Sequence, residues 1–371
     1  MPKPGGVSAK PLSGVIIVLV AIVVVLTQRS GTSHHAANNA TPDTARSQAA
    51  QTSGARSLAP AASAPAAVAP GAGAGAVSTL RIASWNIEWL GKPEDRSGLA
   101  KNVAQSAEDL ADYIRSSNAA IVAVQEIVSR ERGLPIRSPE LEGALANLRQ
   151  TSKQNWDYVL FPGRADGDQL TGVLWNRDVV TAINQDGKPW DQARDRPWAL
   201  PIPKGRSGQG SSLWNRPPHA MKFSAGPGRT DVVLIVLHMK ADYNGDFAAH
   251  RREEAAALVR SLPQVRAEFK DEDLVLIGDT NCPRGPEAAT RDIEAAGFAD
   301  LNASALATHW QGGTMDRAFV PLAQPEFNRR GFEVLSDLYL KKRGLTPRDF
   351  KRRYSDHYMI VTAVDIGPDD D

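Results

Sequence analysis

The sequence predicts an α/β fold in which two mixed β-sheets pack as a sandwich flanked by helices. Eight short runs are rich in Val, Ile, Leu and aromatic residues and bounded by polar turns, and four segments between them have helical spacing. Some strands follow one another directly while others are separated by a helix. A doubly wound parallel sheet would alternate the two throughout, so the sandwich is favoured.

The expected strands are Thr79–Trp85, Ala120–Val124, Trp156–Phe161, Thr171–Trp175, Asp231–Leu237, Leu274–Ile277, Arg317–Val320 and Tyr358–Val364. The expected helices are Leu99–Ser116, Glu140–Gln150, Phe247–Leu262 and Pro286–Ala296, with Ser138 and Arg284-Gly285-Pro286 near starts. About 290 residues from Ser78 onward suffice for one large core.

The 371-residue chain holds 42% hydrophobic and 23% charged residues, near the globular averages, which excludes a wholly disordered, collagen-like or polytopic membrane protein. Cys282 is the one cysteine, so an intramolecular disulfide framework and a Cys-rich metal site are excluded. It reads as a small buried side chain. Residues 1–77 carry five of the 43 Lys/Arg and one of the 42 Asp/Glu, leaving 38 against 41 for the remainder. That slightly acidic balance argues against a nucleic-acid coat protein, which needs a broad excess of cations.

Residues 1–27 contain an unbroken apolar run, Val15–Leu26, whose length fits both a short membrane anchor and the core of a cleavable signal. Extension back to Leu12 and the lack of a small-x-small cleavage site favour the anchor, and Lys3 and Lys10 then keep the amino terminus cytoplasmic. Either way the rest is expected to be exported. Residues 28–77 have no aromatic and seventeen alanines, a composition that cannot offset chain entropy by burial, and read as a linker. Residues 78–366 are then the folded domain and 367–371 an acidic tail.

Chemistry-bearing residues stand at five expected strand ends: Asn86 and Glu88, Gln125-Glu126, His238, Asp279-Thr280-Asn281, and Asp356-His357. Gathered carboxylates repel one another and call for a cation. Oxygen ligands favour Mg²⁺, with Mn²⁺ or Ca²⁺ also suited. Asp279 and Asn281 lie two apart, so on an extended segment they share a side, where a carboxylate can orient water and an amide can hold phosphate.

Ser84-Trp85-Asn86-Ile87-Glu88, Val124-Gln125-Glu126, Gly278-Asp279-Thr280-Asn281 and Ser355-Asp356-His357 occur in the order of one known family. His238-Met239-Lys240 and Met315-Asp316-Arg317 fill its remaining positions. From about Thr79 to Val364 the chain resembles the endonuclease/exonuclease/phosphatase superfamily, with the deoxyribonuclease-I-like fold. The resemblance implies a phosphoric ester hydrolase in which Glu126, helped by Asn86, Glu88 and Asp356, holds Mg²⁺. It further implies that His357, oriented by Asp316, contacts the scissile phosphate, and that His238 acts as acid, base or phosphate donor. One departure stands out: where some family deoxyribonucleases pair the earlier histidine with glutamate, the nearest position here is Gln169.

Arg216-Pro217-Pro218 resembles the family element that brings a guanidinium to a substrate phosphate. Around it, residues 184–218 form a Pro/Gly-rich insertion whose Trp190, Trp198 and Trp214 either stack bases or fold into their own loop. Seven cations between Lys341 and Arg353, directly before Asp356, fit either a solvated face or a backbone-binding surface for a polyanion. DNA is the expected substrate, the membrane a partner through the amino-terminal segment, and no obligate protein partner is implied. The rivals are an inositol-phosphate phosphatase or sphingomyelinase-like lipid hydrolase on the same scaffold, and a catalytically dead binding module. Every main position of the pattern is occupied, which speaks against the last.

Overall fold

The computed structural model describes residues 78–129, 133–164, 168–201, 213–242, 245–329 and 331–369. The expected anchor or signal and linker, residues 1–77, lie outside these. Among the described residues no helix is long and apolar enough to cross a membrane.

In chain order the strands are β1 (Ser78–Leu90), β2 (Ile121–Ile127), β3 (Trp156–Leu160), β4 (Leu170–Asn176) and β5 (Thr181–Ile183). There follow β6 (Trp198–Ala199), β7 (His219–Ser224), β8 (Asp231–His238) and β9 (Leu274–Asp279). The last are β10 (Phe298–Asp300), β11 (Asp316–Pro321), β12 (Phe332–Val334) and β13 (Ile360–Ile366). One sheet has the order β12-β13-β1-β2-β4-β3 and the other β10-β11-β9-β8-β7-β5, with β6 beside β7. Each contains one parallel pair, β1 with β2 and β8 with β9. Their other neighbours are antiparallel, including β13 on β1 and β11 on β9. In each sheet, the carboxyl ends of the parallel pair therefore meet the amino end of an antiparallel strand.

The expected sandwich is what forms, and residue alternation explains it. Val232, Leu234 and Val236 of β8 enter the layer between the sheets with Ile82, Ile121, Val173, Val275 and Ile277. The intervening Val233, Ile235 and Leu237 face the helices on the outer side. Burial on both faces is why these strands read as continuous apolar runs rather than alternating ones. Helices α1 (Ala107–Ser116) and α2 (Pro139–Ser152) cover the first sheet, while α3 (Ala248–Phe269) and α4 (Ala288–Glu294) cover the second. Two short helices, α5 (Asp337–Arg343) and α6 (Pro347–Arg353), add Tyr339, Leu340, Phe350 and Tyr354 to the first layer.

Some boundaries differ from expectation. α1 begins at Ala107 because the Ser106 hydroxyl accepts the Asp109 N–H and caps it, whereas Leu99 lies in a 3₁₀ turn. α3 continues through Pro263 to Phe269, since Leu262, Val265 and Phe269 are buried against the second sheet. Strand β7 falls just after the insertion and was not expected. The insertion's tryptophans pack inward: Trp214 is fully buried, Trp198 packs in the same layer and Trp190 packs against the inter-sheet core. They fold over their own domain rather than offering faces to bases. At the other end, Gly367 accepts a hydrogen bond from Thr230 and Asp369 donates one to Gly228, so the chain stays attached to the sandwich through Asp369.

Candidate active site

Strand register assembles the site. His238 lies opposite Asp279 across the parallel β8–β9 pair, and Asp316 lies opposite Asp279 across β9–β11. Gly278 allows this closeness: at φ +149°, an added Cβ would stand 2.1 Å from the Leu237 carbonyl oxygen. On the other sheet Asn86 lies opposite Gln125. A register shift between Asn86 and Leu90 accompanies left-handed backbone at Glu88, Trp89 and Glu126. Such a bulge redirects side chains at a strand end, and here it turns Glu126 toward the second sheet.

The Asn86 amide joins the two halves, donating from Nδ2 to Glu126 Oε1 (3.2 Å) and Asp279 Oδ2 (3.0 Å). Ser355 Oγ donates to the Asn86 carbonyl (2.7 Å) and Trp85 Nε1 to the His357 carbonyl (3.1 Å), bracing the last motif on the first. His357 Nδ1 is 2.8 Å from Asp316 Oδ2, and its Nε2 faces Asp279 and Asp356, each at 3.9 Å. His238 Nε2 sits 3.7 Å from both Glu126 and Asp279. The Met239 carbonyl accepts from Arg216 Nη2 (2.7 Å) and Asn281 Nδ2 (3.0 Å), which holds a cation and an amide side by side.

Burial sets the electrostatics. It pushes Glu126 up to about 7, with the Asp356 charge adding to it, and raises Asp279 to about 6 although His357 opposes. Burial works against the His357 cation, yet Asp316 and Asp279 outweigh it and raise this imidazole well above its ordinary value. His238 is driven the other way by burial, Arg216 and His357, and is neutral. Burial would raise Asp356, but His309, His357 and Lys351 hold it well below the usual carboxylate range.

The family model for the endonuclease/exonuclease/phosphatase family matches residues 83–357, from β1 to His357. The chain belongs to the endonuclease/exonuclease/phosphatase family. This family acts on phosphoric esters and generally uses divalent metals. No curated protein sequence matches the chain. Among solved structures it is similar to the endonuclease/exonuclease/phosphatase from Bacteroides vulgatus, at 15% identity over 78% of this chain and 100% of that one, with a TM-score of 0.49. It is also similar to the human Nocturnin catalytic domain with bound sulfate, at 14% identity, 78% and 94% coverage and a TM-score of 0.48. D. rerio TDP2 complexed with single strand DNA product gives 16% identity, 78% and 99% coverage and a TM-score of 0.46. Scores below 0.5 add nothing to the family match.

Of the endonuclease/exonuclease/phosphatase residues expected from sequence, Asn86, Glu126, Arg216, His238, Asp279, Asn281, Asp316, Asp356 and His357 come together. The Glu88 carboxylate does not join them. It is taken by Arg96 at 3.0 Å and by Lys351, because the bulge turns it toward α6. Asn86 presents Nδ2 to the Glu126 and Asp279 carboxylates and accepts the Glu88 N–H at its Oδ1 (3.0 Å). Asn281 is not on an extended segment: at φ +52° its N–H turns back onto Asp279 Oδ1 (2.7 Å). Gln169 accepts from Arg216 (3.5 Å), while His238 Nδ1 is buried without a partner among the described residues.

The donor set fits a hard cation. The Asn86 amide draws the Glu126 and Asp279 carboxylates together, and burial raises Glu126 to about 7. Donor atoms of Asp279, Asp316 and His357, and of His309, Asp356 and His357, lie within 4.8 Å of one another. The structure adds His309 to this set. In the structure its Nε2 stands 3.8 Å from Asp356, brought there by a bridge between His309 and His357. Lys351 was hidden among like charges, and its one distinguishing signal is its place on the apolar face of α6 with Phe350 and Tyr354.

Proposed function

We propose that this chain is a Mg²⁺-dependent phosphodiesterase cleaving nucleic acid, foremost DNA. The convergence of Glu126, Asp279, Asn281, Arg216 and the His357–Asp316 pair at one edge of the sandwich carries this reading. Glu126 would hold the ion, which would neutralise phosphoryl charge and acidify bound water. Asp279, poised near neutrality, orients a water molecule and accepts its proton. Arg216 and Asn281 hold phosphate oxygens, and neutral His238 gives a hydrogen bond. The His357 cation contacts the phosphoryl group from Nε2 while Asp316 fixes its ring.

Exposed Lys341, Lys342, Arg348 and Arg352 on α5 and α6 favour a polymer substrate. Two observations weaken the rivals. Arg317 is buried and consumed by Asp300 at 2.6 Å, so Met315-Asp316-Arg317 offers no cation to an inositol phosphate. No large aromatic side chain is exposed among the described residues, as a lipid-inserting hairpin would need.

Purified full-length chain assayed with Mg²⁺ against DNA, RNA, phosphoinositides and sphingomyelin tests the reading. DNA cleavage abolished by chelation is expected; turnover of inositol phosphates with none of DNA overturns it. We also propose, from Val15–Leu26, that the domain is exported and tethered to the membrane. Cell fractionation with protease access checks this, and a chain confined to the cytosol refutes it.

A further inference from the structure

Four charged side chains meet between β1 and α6. Glu88 Oε2 accepts from Arg96 Nη2 (3.0 Å) and Nε (3.3 Å), and Glu88 Oε1 accepts from Lys351 Nζ. The same ammonium lies 3.6 Å from Asp356 Oδ2. Arg96 spends its remaining donors on the carbonyls of Val103 (2.7 Å) and Lys351 (3.0 Å). Glu88 and Lys351 are each 2% exposed and Arg96 not at all. Two cations thus face two carboxylates, and Asp356 also faces His309 at 3.8 Å and His357 at 3.9 Å, so this set has no negative charge to spare.

Local structure explains how Lys351 arrives there. The Thr346 hydroxyl accepts the Asp349 N–H while Asp349 accepts back from Thr346, which fixes where α6 starts. From that start Phe350, Lys351 and Tyr354 face inward, while Arg348 and Arg352 face water. A divalent ion placed on Glu88 would displace this ammonium or sit beside it. Either outcome leaves excess positive charge, or an unpaired ammonium, in a pocket that excludes water. Glu126 differs, since its hydrogen-bond partners are the uncharged Asn86 amide and the Trp89 N–H.

We propose that Lys351 is a built-in cation at the second acidic position of the centre: it holds Glu88 and Asp356 in place, and the centre takes one divalent ion, through Glu126, rather than two. This rests on the metal-dependent reading above. Lys351 is a positioning residue, and its role shows in the number of ions bound.

The test counts Mn²⁺ bound to the full-length chain by titration calorimetry and by electron paramagnetic resonance of the unbound ion. One equivalent per wild-type chain is expected. Glu126→Gln lowers affinity about tenfold or more, as even indirect partners of a metal do. Glu88→Gln keeps the count at one and lowers affinity by less than Glu126→Gln does, since it removes a counter-charge of Arg96 and Lys351 but no ligand of the ion. Lys351→Met frees Glu88 Oε1 and Asp356 Oδ2, while Arg96 keeps Glu88 Oε2, and adds a second, weaker equivalent. Two equivalents in wild type, a Glu88→Gln loss matching that of Glu126→Gln, or a Lys351→Met chain with unchanged count and affinity overturns the proposal alone. Should Lys351→Met not fold, the wild-type count and Glu88→Gln still decide. Unchanged Mn²⁺ binding by Glu126→Gln instead overturns the metal-dependent reading and the proposal with it.

Discussion

His357 and Asp316 meet across the sandwich: His357 precedes a strand of the first sheet, Asp316 begins a strand of the second, and their side chains are 2.8 Å apart. The bond commits Nδ1 and leaves Nε2 aimed at Asp279 and Asp356. Asp316 is itself the cross-strand partner of Asp279, so one β-ladder spaces both groups.

Asp316→Asn is expected to reduce kcat by about 100-fold or more with a smaller change in KM, the range seen for positioned acid–base groups. The His357 pKa falls in the variant, so the alkaline limb of the rate profile moves to lower pH. Stability follows the same sign. A raised imidazole pKa contributes stability fully present below the unfolded value of about 6.5 and lost as pH rises through the folded value. Urea unfolding should therefore show the widest gap between wild type and variant at acidic pH, closing toward alkaline pH.

Glu126→Gln is expected to lower activity by several kcal/mol of transition-state stabilisation, about 100-fold or more, with the fold intact by circular dichroism. In the ion-free protein Glu126 titrates at about 7, so protons compete with the ion there. Wild-type Mn²⁺ affinity should weaken as pH falls below that value, and this dependence should flatten in the glutamine variant.

Replacing Lys341, Lys342, Arg348 and Arg352 by Gln is expected to weaken DNA binding and reduce the log-log salt slope by roughly 0.9 for each phosphate that is no longer neutralised. The other cations of the run are excluded for structural reasons: Lys351 is buried, Arg343 pairs with Asp112 and Arg353 with Asp109. Fluorescence titration at several salt concentrations measures the slope, and small phosphomonoesters, lacking flanking phosphates, should be turned over as before.

Trp214→Ala is expected to destabilise the domain by about 3–5 kcal/mol, as removal of a large buried aromatic does. The indole is fully buried in the layer beneath α3. A shifted urea midpoint supports the core role; unaltered stability with weakened DNA binding would return the side chain to base stacking.

Eight of the thirteen described strands and the site motifs were legible because both are local patterns. Val232–Leu237 is apolar on both faces wherever it packs, and Gly278-Asp279-Thr280-Asn281 marks a strand end without reference to any partner. Short α5 and α6 were not legible, since each holds seven residues and draws its order from Tyr339, Leu340, Phe350 and Tyr354 packing on a distant sheet. The same limit applies to the charges. Sequence by itself determined that Glu88, Glu126, Asp279, Asp316 and Asp356 are carboxylates near strand ends in a recognisable order. Only the tertiary structure decided which of them meets a protein cation, because Lys351 reaches Glu88 from 263 residues along the chain and His357 reaches Asp316 from 41. A buried carboxylate's character depends on the charge beside it, and that neighbour is a property of packing rather than of sequence spacing.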